Sequence, residues 1–371
     1  MTHSSGDIFD SANPPATAQG MLYRFLAEAR QAVPDLDIVM IGGNHDSPAR
    51  LEAPDPILRH FKIRMLGTLP RSGAAIDPEA AIVPLRDRNG DVSALLAAVP
   101  YLRLADLPRN GGGADPLVDG VRSVYAEVLA AARARRSDGQ ALLATGHCYM
   151  VGTKLSELSE RRILGGNQHA LPDDTFPKDV AYVGLGHLHL AQVVHSRAHV
   201  RYSGSPIPLS MAEATYQHQV CVVELKGDQL SDLRVLKVPR SVELLRLPKD
   251  ALLPLDEVIA QLEALNLHPG DDERVWPYLE VRVLLDKPEP DLRARVEECL
   301  DGRPVRLVKL TSHYSGSGPV LADQVSSQAL DDIDEDEVFL RCYRQKYEGD
   351  PTKQLLEAFH ELVEAARQEK A

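Results

Sequence analysis

Apolar residues recur at helical spacing over 16–33, where Ala18, Met21, Leu22, Phe25, Leu26, Ala29 and Val33 share a face, and the pattern predicts an amphipathic helix stopped by Pro34. The aliphatic run at 36–41 then predicts a strand. Two later runs, ALLATGH at 141–147 and VAYVGLGH at 180–187, have the same build, apolar residues giving way to glycine and a polar tail. Ligands of open α/β sheets gather at the carboxyl ends of strands, so three such tails predict one shared site. Further on, QVCVVEL and LSDLRVLKV flank residues 226–229 and predict a β-hairpin.

From about residue 242 the pattern alternates strand, helix, strand, helix, strand through VELLRL, LDEVIAQLEAL, YLEVRVLL, PDLRARVEECL and PVRLVKL, which predicts a small separate α/β domain. SHYSGSGP at 312–319 has the composition of a flexible linker. Two closing helices are predicted, one over 338–347 and one carrying Leu355, Leu356, Phe359, Leu362, Val363 and Ala366 on a single stripe. That stripe suits either a partner surface or packing back on this chain. The expected division is 1–240, 241–312 and 313–371.

The 371 residues are enough for two domains of ordinary size. With 44% hydrophobic and 26% charged residues, the chain has no apolar run near the ~18 residues of a membrane span. No charged start leads into an apolar stretch, so the expected compartment is the cytoplasm, without membrane association. Cys148, Cys221, Cys299 and Cys342 are scattered singly, which argues against a disulfide framework or a zinc ribbon. A net charge of -13 runs against a phosphate-rich partner unless carboxylates lie off the working face, and DDIDEDE at 331–337 is the clearest cluster of them.

Five short segments hold most of the chemically suggestive residues: GDIFD, GNHDS, TGHC, GLGHLH and YSGSP. Each alone is weak. Together Asp7, Asn44, His147, His187 and His189 supply the carboxylate, amide and imidazole mixture that suits Mn²⁺ rather than a thiolate-loving ion. Residues two apart in a strand point to one side, so His187 and His189 face one cavity if the backbone stays extended there. Glycine precedes Asp7, Asn44, His147 and His187, which lets the chain approach an ion without a Cβ in the way.

In this order GD, GNHD, GH and GHxH resemble the motifs of the calcineurin-like metallophosphoesterases. The stretches GDIFDSANPP, GNHDS, TGHC, DDTFPKDVAYVGLGHLHLAQ and VRYSGSPIPLS are similar to those of the SbcD nuclease subunits of bacterial SbcCD complexes, and this similarity runs from residue 6 to about 240. The resemblance implies an α/β fold, a calcineurin-like β-sandwich flanked by helices, with a small α/β capping domain and C-terminal helices. It implies a metal-dependent nuclease with 3′–5′ double-strand exonuclease and single-strand or hairpin endonuclease activity in DNA repair and recombination. The implied partners are DNA and an SbcC-type coiled-coil ATPase, with a homodimer inside a heterotetramer. Two Mn²⁺ ions, or Mg²⁺ in their place, are the implied cofactors. Asp7 would bridge them, Asn44, His147 and His187 would complete one shell, and His189 would serve the other ion. His45 would be the catalytic donor to the phosphoryl group, with Asp46 orienting its imidazole.

The sequence departs from the family in one place. The family's opening strand ends in Asp-x-His, whereas GD is preceded here only by MTHSS, so the expectation is a polar segment where a strand would stand. Asp7 and His189 alone fall short of the three protein ligands usual at a catalytic ion, which leaves the second ion in doubt, and His3 is not expected to substitute. The expectation is an ordinary nuclease subunit whose first segment lies upstream of Met1. Two alternatives compete with it: a catalytically impaired scaffold subunit of the same complex, and a phosphatase or phosphodiesterase on the same core.

Overall fold

Side-chain alternation along the strands decides the layering. The computed structural model describes residues 1–72, 75–108, 115–154, 170–267, 270, 272–287, 289–314, 339, 340, 343, 351, 355 and 359. Strands β1 (Thr2–Ser5), β2 (Ile38–Ile41) and β3 (Ile63–Leu66) form a parallel sheet, with α1 (Ala16–Ala32) between the first two and the short helices α2 (Pro48–Glu52) and α3 (Asp55–Leu58) before the third. After the two-residue pair β4 (Arg71–Ser72) and β5 (Ala75–Ile76) comes a six-stranded sheet. It is made of β6 (Ile82–Arg86), β7 (Val92–Val99), β8 (Ala141–His147), β9 (Tyr182–Gly186), β10 (Gln192–Val194) and β11 (Arg197–Tyr202), in the spatial order β10-β11-β9-β8-β7-β6. Helix α4 (Pro116–Arg135) connects β7 to β8.

Along β2, Ile38 and Met40 face Leu26 of α1, while Val39 and Ile41 face the larger sheet. Along β7, Ala94, Leu96 and Ala98 meet that same inner layer, while Leu95, Ala97 and Val99 turn outward to Val124, Tyr125, Val128 and Leu129 of α4. Period-two alternation on both sheets therefore yields four layers, helix, sheet, sheet, helix, which is the sandwich the resemblance implied. Among the positions predicted for the buried face of α1, Leu26 is fully covered, whereas Met21, Phe25 and Val33 are 68%, 57% and 50% exposed. The sheet is too narrow to cover the whole stripe.

The expected absence of a strand at MTHSS is corrected: β1 pairs with β2 in parallel register from Thr2↔Ile38 to Ser5↔Ile41. The ladder uses backbone groups alone, so apolar side chains are not needed at this edge. The polar side chains find partners instead. Ser5 Oγ lies 3.0 Å from Thr145 Oγ1 and donates to the Gly184 carbonyl at 3.1 Å, and the His3 ring meets Tyr182 edge-on.

The predicted hairpin forms as β12 (Gln219–Lys226) and β13 (Gln229–Lys237), with Val223, Leu225 and Leu233 packed against the inner layer. Next come β14 (Leu244–Leu247), β15 (Leu253–Pro254), α5 (Leu255–Glu263), β16 (Tyr278–Leu285), α6 (Leu292–Leu300) and β17 (Arg306–Tyr314), and the alternation read from the sequence holds throughout. Strands β14 and β16 pair in parallel, as a helix-connected crossover requires. Residues 312–314, expected to open the linker, instead extend β17, and the remainder of the linker lies outside the described residues.

Contacts divide the chain into two units, residues 1–283 with 290–311, and 284–289 with 312–371. In the second, the Phe339 and Phe359 rings stack at 4.3 Å and Tyr343 lies 6.2 Å from Phe339. Most of the two predicted closing helices lies outside the described residues. No described helix is long and apolar enough to cross a membrane. Replacing Leu96, 1% exposed between the sheets, by Ala should lower the unfolding free energy in urea by about 2–5 kcal/mol, whereas Met21→Ala should stay within ~0.5 kcal/mol.

Candidate metal centre

The carboxyl ends of β1, β2, β8 and β9 deliver the residues of the site. Asp7 follows β1, Asn44 follows β2, His147 ends β8 and His187 follows β9. Ligand atoms of Asp7, His147 and His187 all lie within 4.8 Å of one another. His147 Nε2 is 3.2 Å from Asp7 Oδ2 and 2.9 Å from Asn44 Oδ1, and His187 Nδ1 is 3.2 Å from the same amide oxygen.

The chemistry of this set tests whether a cation fits. His147 Nδ1 lies 2.7 Å from the Ser5 carbonyl, and a carbonyl only accepts, so Nδ1 carries the proton. A neutral His147 then presents a lone pair at Nε2 to two oxygens that are themselves acceptors. Three acceptors at these distances call for a shared positive charge, and a divalent ion supplies one. The Ser5 carbonyl meanwhile holds the imidazole in the orientation that ligation through Nε2 would need.

Charge states agree. Burial raises the Asp7 carboxyl, but a hydrogen bond and charge from His147 when Nε2 also carries a proton, with the His45 backbone N–H and charge, outweigh it and bring it down to about 2; that proton fills the place a cation would take. Burial, together with the nearby His147 charge, lowers His187 to about 3. Both groups are thus in their ligand form at neutral pH.

Two backbone features hold them there. Asp7 and His187 sit at φ 48° and 94°, in the left-handed region where a non-glycine residue costs of order 1–3 kcal/mol. The positive φ of His187 also ends the extended chain, so the condition for a strand-like projection of His187 and His189 to one side is not met. His189 stands outside the close set, and its Nδ1 lies 2.8 Å from Oε1 of Glu213, a fully buried carboxylate. Close approach is absolute at Gly43, where an added Cβ would overlap the Asp7 carboxylate.

The role expected of Asp46 is corrected by its contacts. Its carboxylate, 2% exposed, accepts the backbone N–H groups of Gly43 (2.8 Å), Ile8 (3.0 Å) and Phe9 (3.0 Å), and so ties the GDIFD turn to the GNHD turn. Three backbone donors within reach satisfy a buried carboxylate better than one imidazole. His45 takes another partner: its Nδ1 is 2.8 Å from the Asp10 carbonyl, which leaves Nε2 for a ligand, while its N–H donates to Asp7 Oδ1 at 3.0 Å.

Sequence reasoning missed Glu213, Tyr101 and Arg103. Tyr101 stands edge-on to His147 at 6.0 Å, and Arg103 donates to the Asp46 carbonyl at 3.0 Å. Glu213 had a faint signal, a lone carboxylate soon after YSGSP, but no spacing ties it to His189.

The metal-free protein should lose stability as pH falls from about 6.5 toward 3, because the unfolded chain protonates His187 in that window and the folded chain does not. Urea midpoints should fall across that window, and His187→Gln should flatten the slope. Gly43→Ala should weaken Mn²⁺ uptake in calorimetry about 10–100-fold or abolish it.

Comparisons with known proteins identify the family. The profile of the family described as the Type 5 capsule protein repressor C-terminal domain matches residues 240–347. The SbcCD nuclease D subunit of Rhodobacter capsulatus is 40% identical over 312 residues, 83% of this chain and 76% of that protein. The protein of the same name from Escherichia coli K12 is 30% identical over 344 residues, 91% of this chain and 81% of its own. That of Bacillus subtilis is 29% identical over 292 residues, 75% and 68%. With relatives matched over most of both chains, this chain belongs to the family of SbcCD nuclease D subunits.

Proposed function

We propose that this chain is a metal-dependent DNA nuclease subunit that works with an SbcC-type ATPase on DNA ends and hairpins, cutting 3′–5′ on double strands and endonucleolytically on single strands. The observation that carries the reading is the convergence of Asp7 Oδ2, Asn44 Oδ1, His147 Nε2 and His187 Nδ1, with His45 beside them on the GNHD turn. Residues 1–240 form the nuclease domain in this reading, 241–312 a capping domain and 313–371 the partner-binding end. The family match to 240–347 supports a boundary near residue 240. Met21 and Phe25 on α1, and Ile57 and Phe61 near α3, leave apolar surface that a partner could cover, and the reading includes a homodimer within a heterotetramer.

Asp7, Asn44, His147 and His187 would hold one Mn²⁺ or Mg²⁺, and Asp7 with His189 would contribute to a second. Bound divalent ions would draw charge off the phosphodiester and lower the pKa of the attacking water. The residues do the rest. The Asp10 carbonyl fixes the tautomer and direction of His45, whose Nε2 in protonated form donates to the phosphoryl oxygens or the leaving oxygen. Asp46 holds the turn that sets His45 over the ligands. Glu213 orients His189.

With Mn²⁺, the subunit in complex with its ATPase should cleave linear duplex DNA and leave p-nitrophenyl phosphate esters nearly untouched. His45→Ala should lower cleavage ~10²–10⁴-fold while calorimetric Mn²⁺ uptake stays unchanged. Undiminished cleavage by that variant rules out the role given to His45. Preference for the small esters moves the function to a phosphatase.

A further inference from the structure

Arg103 lies beside the GNHD turn and belongs to none of the sequence motifs. It follows β7 on the segment that also carries Tyr101, whose backbone N–H donates to the Gly42 carbonyl at 2.8 Å and so anchors the segment beside the GNHD turn. The Tyr101 ring stands between two groups. One edge relation is to the His147 imidazole at 6.0 Å, and the Arg103 guanidinium lies 5.6 Å from the centre of the Tyr101 ring. One guanidinium nitrogen donates to the Asp46 carbonyl at 3.0 Å, one residue after His45. Burial is the main cause that raises the Tyr101 phenol above its usual value, and the charge of Asp7 adds to it against that of Arg103, so both charges act at this ring.

The chemistry of the rim makes this cation informative. Asp7 and Asp10 lie against the GNHD turn, and the whole chain carries 41 Lys and Arg against 54 Asp and Glu, a balance that repels a polyanion. A DNA strand entering the site therefore needs a local donor of positive charge. Arg103 has five N–H donors in a planar fork, and the Asp46 carbonyl takes one. No carboxylate pairs with its guanidinium among the described residues. The half-buried side chain, held by a ring on one side and a carbonyl on the other, loses little further freedom on meeting a phosphate.

We propose that Arg103 binds a backbone phosphate of the DNA strand that lies in the site, positioned for it by Tyr101 and the Asp46 carbonyl. This rests on the nuclease reading. It assigns no base specificity, because phosphate contacts set register rather than sequence. One phosphate contact contributes about 0.9 to the slope of log K against log salt.

The test is a salt titration of binding to short linear duplex DNA, with divalent ions chelated so that the strand is not cut, for the full chain and for Arg103→Ala, Arg103→Gln and Arg103→Lys. Arg103→Ala and Arg103→Gln should bind about tenfold more weakly at low salt and lose roughly one unit of slope. Arg103→Lys should keep the slope and recover most of the affinity. In cleavage with Mn²⁺, KM for DNA should rise in Arg103→Ala while Mn²⁺ uptake stays as in the unaltered chain. A slope unchanged in all three variants overturns the proposal, as does weakened Mn²⁺ uptake as the main effect of Arg103→Ala, which would make Arg103 only a clamp on the GNHD turn. If the unaltered chain neither binds nor cuts duplex DNA, the nuclease reading itself fails, and that result is distinct from a null effect at Arg103.

Discussion

The organising constraint is a meeting of acceptors. His147 commits Nδ1 to the Ser5 carbonyl, so its Nε2 faces Asp7 Oδ2 and Asn44 Oδ1, where only a second proton or a cation can join them. Such a cluster is costly in a buried, poorly screened place unless a cation joins it. Much of the surrounding architecture serves to hold that cluster together. Asp7 and His187 are kept in left-handed backbone conformations, and Asp46 fastens the turns that carry Asp7 and Asn44 through three backbone N–H groups.

The four-layer packing is what allows such strain. Both sheets are buried on two faces, and the strands that end at the site, β2, β8 and β9, are nearly solvent-free along their length. Their ends are therefore fixed to the precision of the packed core, and loops only a few residues long inherit that precision. His189 and Glu213 show the same economy outside the close set. A fully buried carboxylate receives the imidazole, the Ser205 hydroxyl and the Leu209 N–H, so the ring has one orientation.

Much of this was legible beforehand. The helix over 16–32, the strand at 141–147, the hairpin at 219–237 and the alternation after 242 all follow from local periodicity, because side-chain direction repeats every 3.6 or 2 residues regardless of what the segment meets later. Asp7, Asn44, His147 and His187 also stood out by residue type and glycine neighbours, and the fold brings their side chains within reach of one another. The polar strand β1 was not legible. Nothing in Thr2–Ser5 marks a strand until β2 offers its edge and Thr145 and Gly184 receive Ser5.

Residue type and spacing were enough to say which segments are helix or strand and which side chains are chemically able to bind an ion, because both are local properties of the chain. Who partners whom was settled in three dimensions: Asp46 with three backbone N–H groups instead of His45, His45 with the Asp10 carbonyl, His189 with Glu213 and Arg103 with the Asp46 carbonyl. The physical reason is that backbone donors and acceptors are the same in nearly every residue. A sequence cannot mark which of them will stand opposite a given side chain, and packing of the layers alone makes that choice.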